Sequence, residues 1–368
     1  MKKTFIFLAL FIISISTASA MVYDIFDNPH IIIPYQEDHY LVGTDSTTDD
    51  IYDFYSSLDS SSLLINDFTG LVDADMLPDG KLVFAIYPGS GDGIVIACDR
   101  PTGILEYPTA TESFSTLAII SGAIYSMAVD QDTGDIYVAS GKTVYQLTAP
   151  SYSSSVLCTI PSEYYRIESL AMHPDGLLIG TKSNNNVPRY ATVYLYDGTL
   201  NEMYKWSEDG AEPEISAMAA TESGDIYFAS WQANTAYATT VYTDVEGSTP
   251  TRRCIGRVNA TSGKASLIGT VSYRVDDIVI NDAGIIYCAQ STNDKIITYS
   301  TVDLSGGYVV YNAPSDSGDS SSDSNTTSIL GDSHEWTNDE IATSSRQIVP
   351  PIFFIVLLMF FMYVIGGN

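Results

Sequence analysis

The chain has 368 residues and carries 16 Lys and Arg against 45 Asp and Glu, a formal net charge of −29 at pH 7. A surface this acidic repels phosphate backbones and anionic lipid headgroups, which excludes nucleic-acid binding. Helical repeats are excluded too, because the runs are rich in Val, Ile, Tyr and Thr and show no 3.6-residue amphipathic period before the C-terminal tail.

Residues 1–20 read as a signal peptide. Lys2 and Lys3 form a basic start, "TFIFLALFIISIS" is an apolar stretch too short to span a bilayer, and Ala18-Ser19-Ala20 supplies a small-x-small cleavage pattern. The bulk of the chain is therefore expected outside the cytoplasm.

From residue 21 to residue 313 one phrase recurs. "TGDIYVAS" at 133 returns as "SGDIYFAS" at 223, and related strands begin at 40, 81, 177 and 285. Gly80, Gly134, Gly176, Gly224 and Gly284 precede five of them and close turns such as "LPDG", "HPDG" and "NDAG". Asp, Asn or Ser followed by Gly between apolar runs marks a hairpin, since Gly takes positive φ without steric cost. Before each turn lies another apolar strand: "LVDADML", "IYSMAVD", "IESLAMH", "ISAMAAT" and "VDDIVIN". After each comes a further hairpin, such as "GIVIACDRPTGILEY", so the unit is a four-stranded meander. Its spacing of 42 to 60 residues between those glycines is that of a propeller blade. The expected fold is all-β, a six-bladed β-propeller of four-stranded antiparallel blades, followed by a C-terminal transmembrane helix.

The "PDG" turn, the strand after it and the "DxxTG" turn resemble exported propellers of the YVTN and NHL kind. "GRVNATSGKASLIGT" resembles their strand-turn-strand most closely. The resemblance implies the fold over about residues 30 to 313. It leaves function open, because propellers host adhesion, scaffolding, lyase and hydrolase activities alike.

Aligning the strands that precede the turns stacks Val72, Tyr125, Glu168, Ser216 and Asp276 in one column and Asp73, Ser126, Ser169, Ala217 and Asp277 in the next. Converging on a propeller axis, Asp73, Glu168, Asp276 and Asp277 offer the oxygen donors that Ca²⁺ takes. That pattern loosely resembles the divalent-metal sites of gluconolactonase-type propellers, though their Asn ligands are missing from these columns. Polar residues lining a wet channel mouth are the competing explanation. Asp75 stands where its counterparts are Ala128, Ala171 and Ala219, so it must face the channel or be paired.

Other chemistry is sparse. The four His residues and the absence of G-x-S-x-G, P-loop, C-x-x-C or H-E-x-x-H patterns argue against a nucleophilic or zinc enzyme. Cys98, Cys158, Cys254 and Cys288 can form two disulfides in three ways or remain buried thiols. Of the 26 tyrosines, Tyr137, Tyr227 and Tyr287 occupy the repeated strand and are expected to pack blade against blade. Insertions in the fourth and fifth blades bring Tyr190, Trp231, Tyr237, Arg252 and Arg253 forward as a contact face.

Residues 314–347 are a Ser-, Asp- and Thr-rich stretch that cannot bury a core and reads as a disordered stalk. Asn325 there, and Asn259 in the fifth blade, match the N-glycosylation acceptor. Residues 348–366 form an uncharged apolar segment opened by Pro350 and Pro351, either a span or a tail exchanged for a lipid. The expectation is a surface-displayed, membrane-anchored propeller acting through its loop face as a recognition, adhesion or envelope-scaffold module, with an extracellular protein or glycan as ligand. A divalent-metal-dependent lactonase-like hydrolase is the alternative.

Overall fold

The computed structural model describes residues 22–300 apart from 24–28, 37–38, 45–48, 56–59, 69, 100–104, 107–112, 185–189, 208–212, 233–253, 260–263, 272, 283 and 292–294. The signal segment, the stalk at 314–347 and the apolar tail at 348–366 lie outside the described residues. Among the described residues no helix is long and apolar enough to cross a membrane.

Strands follow one another as antiparallel meanders. After β1 (Val22–Tyr23), the first meander is β2 (Pro29–Gln36), β3 (His39–Thr44), β4 (Asp49–Tyr55) and β5 (Ser60–Phe68). The second is β6 (Leu71–Met76), β7 (Leu82–Ile86), β8 (Gly93–Cys98) and β10 (Phe114–Ile120). Between its last two strands the chain detours to lay β9 (Leu105–Glu106) parallel on β5. The third is β11 (Ile124–Val129), β12 (Ile136–Ser140), β13 (Thr143–Thr148) and β14 (Ser153–Thr159). The fourth is β15 (Tyr164–His173), β16 (Gly176–Ser183), β17 (Tyr190–Tyr196) and β18 (Leu200–Ser207). The fifth is β19 (Pro213–Ala220), β20 (Ile226–Gln232), β21 (Cys254–Asn259) and β22 (Lys264–Thr270). The last is β23 (Asp277–Ile280), β24 (Ile285–Gln290) and β25 (Lys295–Ser300).

The propeller of four-stranded antiparallel units is thus present, but hydrogen bonding divides it into five sheets, not six separate blades. Three sheets have four strands, the first has five because β9 joins it, and the fourth and fifth meanders share one sheet of eight. They fuse where Lys182, near the end of β16, lies opposite Glu214 at the start of β19. The last unit takes a strand from the other end of the chain: β1 pairs with β25, Val22 opposite Ile297, so the first described strand joins the last sheet. The segment "GYVVY" at 307–311 lies outside the described residues.

The five repeated glycines meet the demand read from sequence: their φ angles are 86°, 76°, 152°, 83° and 73° in chain order. At Gly176 a Cβ would also sit 2.1 Å from the Tyr196 carbonyl oxygen, so no side chain fits that turn.

The core lies between units, not within them. Among the described residues it divides into six clusters, each shared by two neighbouring meanders. Tyr287 packs its ring 4.4 Å from that of Tyr40, joining the last unit to the first. Tyr227 and Tyr137 do the same between the fifth and last and between the third and fourth. At each such seam an aromatic body fills the space between two twisted sheets, which is why the repeated strand keeps Tyr there. β2, β6, β11, β15, β19 and β23 each touch the next, and β23 touches β2.

Candidate functional site at the channel mouth

These innermost strands enclose a channel of about 500 Å³. Apart from β19, which pairs with β16 at Glu214, each is the edge of its sheet, so one row of backbone N–H groups has no ladder partner and must be satisfied otherwise. Side chains from the neighbouring inner strand do this. The Met127 N–H donates to Asp73 Oδ2 (2.7 Å), the Val129 N–H to Asp75 Oδ2 (2.8 Å), and the Ile32 N–H to Asp277 Oδ2 (2.9 Å). Ser126 performs the same task with a hydroxyl, accepting from the Leu170 N–H at 3.0 Å. Two of the predicted metal ligands, Asp73 and Asp277, are thereby engaged by backbone, and Asp75 is both paired and channel-lining.

Among the described residues no cation pairs with these three carboxylates. Burial raises Asp73 to about 6 and Asp75 to about 7 against the opposing pull of their hydrogen bonds. Asp277 is raised well above the ordinary range by burial and by the nearby charge of Asp73. Near pH 7 this part of the channel holds protons that free aspartates would have lost.

The mouth is built differently. Arg274, three residues before β23, donates from Nε to Glu214 (2.7 Å), from Nη2 to Glu168 (2.9 Å) and from Nη1 to Asp276. Arg166 donates to both oxygens of Glu168 at 2.6 and 3.0 Å, and Lys182 Nζ lies 2.5 Å from Glu214. Arg274 belongs to the last unit and reaches the fourth and fifth, so one side chain ties three units together. Three cations and three carboxylates balance in charge. Burial opposes ionisation of Glu168, but the Arg166 hydrogen bond and the Arg274 charge outweigh it and hold its carboxyl below the usual range. Asp276 also accepts from the Ser291 N–H (2.9 Å) and hydroxyl (2.7 Å).

Aromatic rings flank this network at Arg166. The Arg166 guanidinium lies 4.1 Å from the Tyr125 ring centroid and 5.6 Å from that of Tyr165. Tyr165 is 54% exposed and Tyr273, next to Arg274, is 38% exposed. The two arginines were not singled out from sequence, yet a signal exists. Tyr165-Arg166-Ile167-Glu168 and Tyr273-Arg274-Val275-Asp276 are the same Tyr-Arg-aliphatic-acid phrase at the head of two inner strands.

The four predicted metal ligands all line the channel but separate into these two settings. Among the described residues no group of three or more His, Cys, Asp and Glu side chains is arranged to hold a metal ion. Of the predicted contact face, Trp231 lies opposite Glu214 across β19 and β20, beside the mouth. Tyr190 begins β17 at the same end of its sheet as Lys182, with Lys205 Nζ 4.3 Å from its ring centroid. Tyr237, Arg252, Arg253 and Asn325 lie outside the described residues, and Asn259 ends β21. Cys98, Cys158 and Cys288 are free thiols. His173 is buried, with Nε2 3.2 Å from the Gly224 carbonyl and Nδ1 accepting from the Asp175 N–H at 3.0 Å, so its ring stitches two turns.

The chain matches no known protein family and no curated sequence. Among solved structures it is similar to a Bacteroides thetaiotaomicron protein of unknown function, with 11% identity, a TM-score of 0.51, and coverage of 75% of this chain and 70% of that one. It is similar also to the WD40 β-propeller domain of Doa1 (12% identity, TM-score 0.46, 74% of this chain and 78% of that one). A third is an auxiliary nutrient binding protein from the same Bacteroides species (11% identity, TM-score 0.45, 74% and 69%). At these identities the likeness is one of fold: the chain resembles β-propellers.

Proposed function

We propose that the chain is an exported, surface-displayed binding propeller whose recognition face is the channel mouth. The carrying observation is a balanced Arg–carboxylate network that joins three units and has two exposed tyrosines next to its arginines, Tyr165 against Arg166 and Tyr273 beside Arg274 in the chain. Trp231 and Tyr190 lie at the same end of their sheets, where the two long insertions of the sequence also emerge. The ring of touching inner strands and six shared clusters support a closed, six-bladed body presenting that face. The signal segment and apolar tail support display at a membrane, with the stalk holding the propeller away from it.

The hydrolase alternative needs acidic side chains available to a divalent cation. Glu168 and Asp276 are instead held by Arg274, and Asp73 and Asp277 by backbone N–H groups. The test is a screen of the intact chain against immobilised extracellular proteins and glycans, with and without Ca²⁺. Binding that is lost in Trp231→Ala/Tyr273→Ala and indifferent to Ca²⁺ is expected. Binding that survives both substitutions would remove the mouth from consideration. Activity on lactones that needs Ca²⁺ would move the assignment to the hydrolase.

A further inference from the structure

The mouth also has the chemistry to say what class of ligand fits it. We propose that it is a binding site for a neutral saccharide, with Tyr165 and Tyr273 as stacking platforms and Arg166, Arg274, Glu168 and Asp276 as partners for sugar hydroxyls. This rests on the mouth being the recognition face.

Charge excludes the simplest competitors. With three cations against three carboxylates the mouth has no net charge of its own, and the chain around it is strongly acidic, so an acidic ligand meets repulsion, and a basic one is drawn to the surface at large without an excess carboxylate in the mouth to hold it. A neutral, polyhydroxylic ligand needs neither. Each hydroxyl both donates and accepts, which matches a surface where guanidinium N–H groups alternate with carboxylate oxygens.

Capacity remains in that network. Arg274 uses three of its five N–H donors on the three carboxylates, and Arg166 uses two on Glu168. The ion pairs fix the planar groups in place, so a ligand meets preorganised donors and acceptors.

Apolar surface is distributed in the same sense. Among the described residues the exposed large hydrophobic side chains are Ile119, Val156, Tyr165 and Tyr273. The two aliphatic ones sit on the outer strands β10 and β14, away from the mouth. The two at the mouth are aromatic, the type that packs against the C–H face of a pyranose while its hydroxyl stays wet. A peptide-binding mouth would call for aliphatic pockets or a free strand edge there. Glu168 and Asp276 also line the channel of about 500 Å³ that opens beneath the network.

The experiment is a titration of the full chain with uncharged gluco-, manno-, galacto- and xylo-configured pentasaccharides, followed by intrinsic tyrosine and tryptophan fluorescence. Sulfated counterparts serve as controls. Saturable binding of at least one neutral pentasaccharide is expected, weakened about tenfold or more in Tyr165→Ala/Tyr273→Ala. Tyr165→Phe/Tyr273→Phe should bind within about threefold of the parent, since the ring face is kept. Val156→Ser, on β14, should bind as the parent does. Binding that survives the double alanine substitution, or is confined to sulfated sugars, or is absent for all of them, overturns the proposal. If a protein ligand is found that depends on the mouth while no saccharide binds, the recognition face stands and the saccharide assignment alone falls. If nothing binds in a mouth-dependent way, both fall.

Discussion

The two arcs of the channel wall solve one problem with different chemistry. Neighbouring inner strands must be tied together although their edges cannot form a continuous ladder. Around the fourth, fifth and last units, the tie is an ion network in which Arg274 meets Glu214, Glu168 and Asp276. Between the last and first units, and between the second and third, it is a carboxylate accepting backbone N–H bonds. The first arc compensates each buried charge with another. The second leaves the carboxylates without a cation and shifts their proton affinity instead. Compensation makes an arc depend on its partner residue, and lack of compensation makes it depend on pH.

Removing a partner therefore tests the first arc hardest. Arg274→Met leaves three carboxylates facing one another, and a loss of about 3–5 kcal/mol is expected by chemical denaturation. A loss under about 1 kcal/mol would mean that the mouth is solvated like an ordinary surface. The second arc should respond to neutralisation in the opposite direction. Asp75→Asn keeps an acceptor for the Val129 N–H while removing the charge, so at pH 8 the variant should be more stable by on the order of 2 kcal/mol. Near pH 4 the difference should vanish, because Asp75 is then protonated in the folded parent.

The pH profile of the parent sharpens the same contrast. Asp73 and Asp75 have folded values of about 6 and about 7, above their unfolded value near 3.8. The folded state then binds more protons than the unfolded one between these values, so stability falls as pH rises from about 4 to about 7. Glu168 acts in reverse: its depressed carboxyl contributes stability above the unfolded value of 4.5 that is lost as pH falls below it. A denaturation series should thus peak on the acid side of neutrality, and a flat profile from pH 5 to 8 would contradict the protonated-aspartate arc. The smallest effect is expected at Arg257, paired with Asp225 at 2.5 Å on a third-exposed surface. Arg257→Met should change stability by only about 0.5 kcal/mol, since solvent screens the pair.

Much of this was legible before any coordinates. The turn glycines, the repeated strand and its tyrosines follow from steric demands that act within a few residues, and those can be read along the chain. The alignment of inner strands also placed Asp73, Glu168, Asp276 and Asp277 in one channel. It could not say what each carboxylate meets, because Glu168 and Arg274 lie 106 residues apart and only ring closure brings them together. Counting acids by column also passed over Arg166 and Arg274, although the phrase they share occurs twice. The pairing of β1 with the last sheet could not be read from the sequence, because two residues, Val22 and Tyr23, carry no period. The fusion of the fourth and fifth meanders was invisible for a similar reason: it rests on one residue pair.

That short first strand sets a clock. Val22 and Tyr23 are among the first residues of the folded body to be made, and their partners Ile297 and Ile296 among the last. At roughly 5–20 residues per second, synthesis separates the two sides of this clasp by about fifteen seconds to a minute. Until then β1 waits without the strand it pairs with, an unpaired segment of the kind that can add to foreign edges. Sealing the ring is a late event in the life of each molecule, since a chain arrested before residue 297 lacks both the partner of β1 and the β25 ladder on β24.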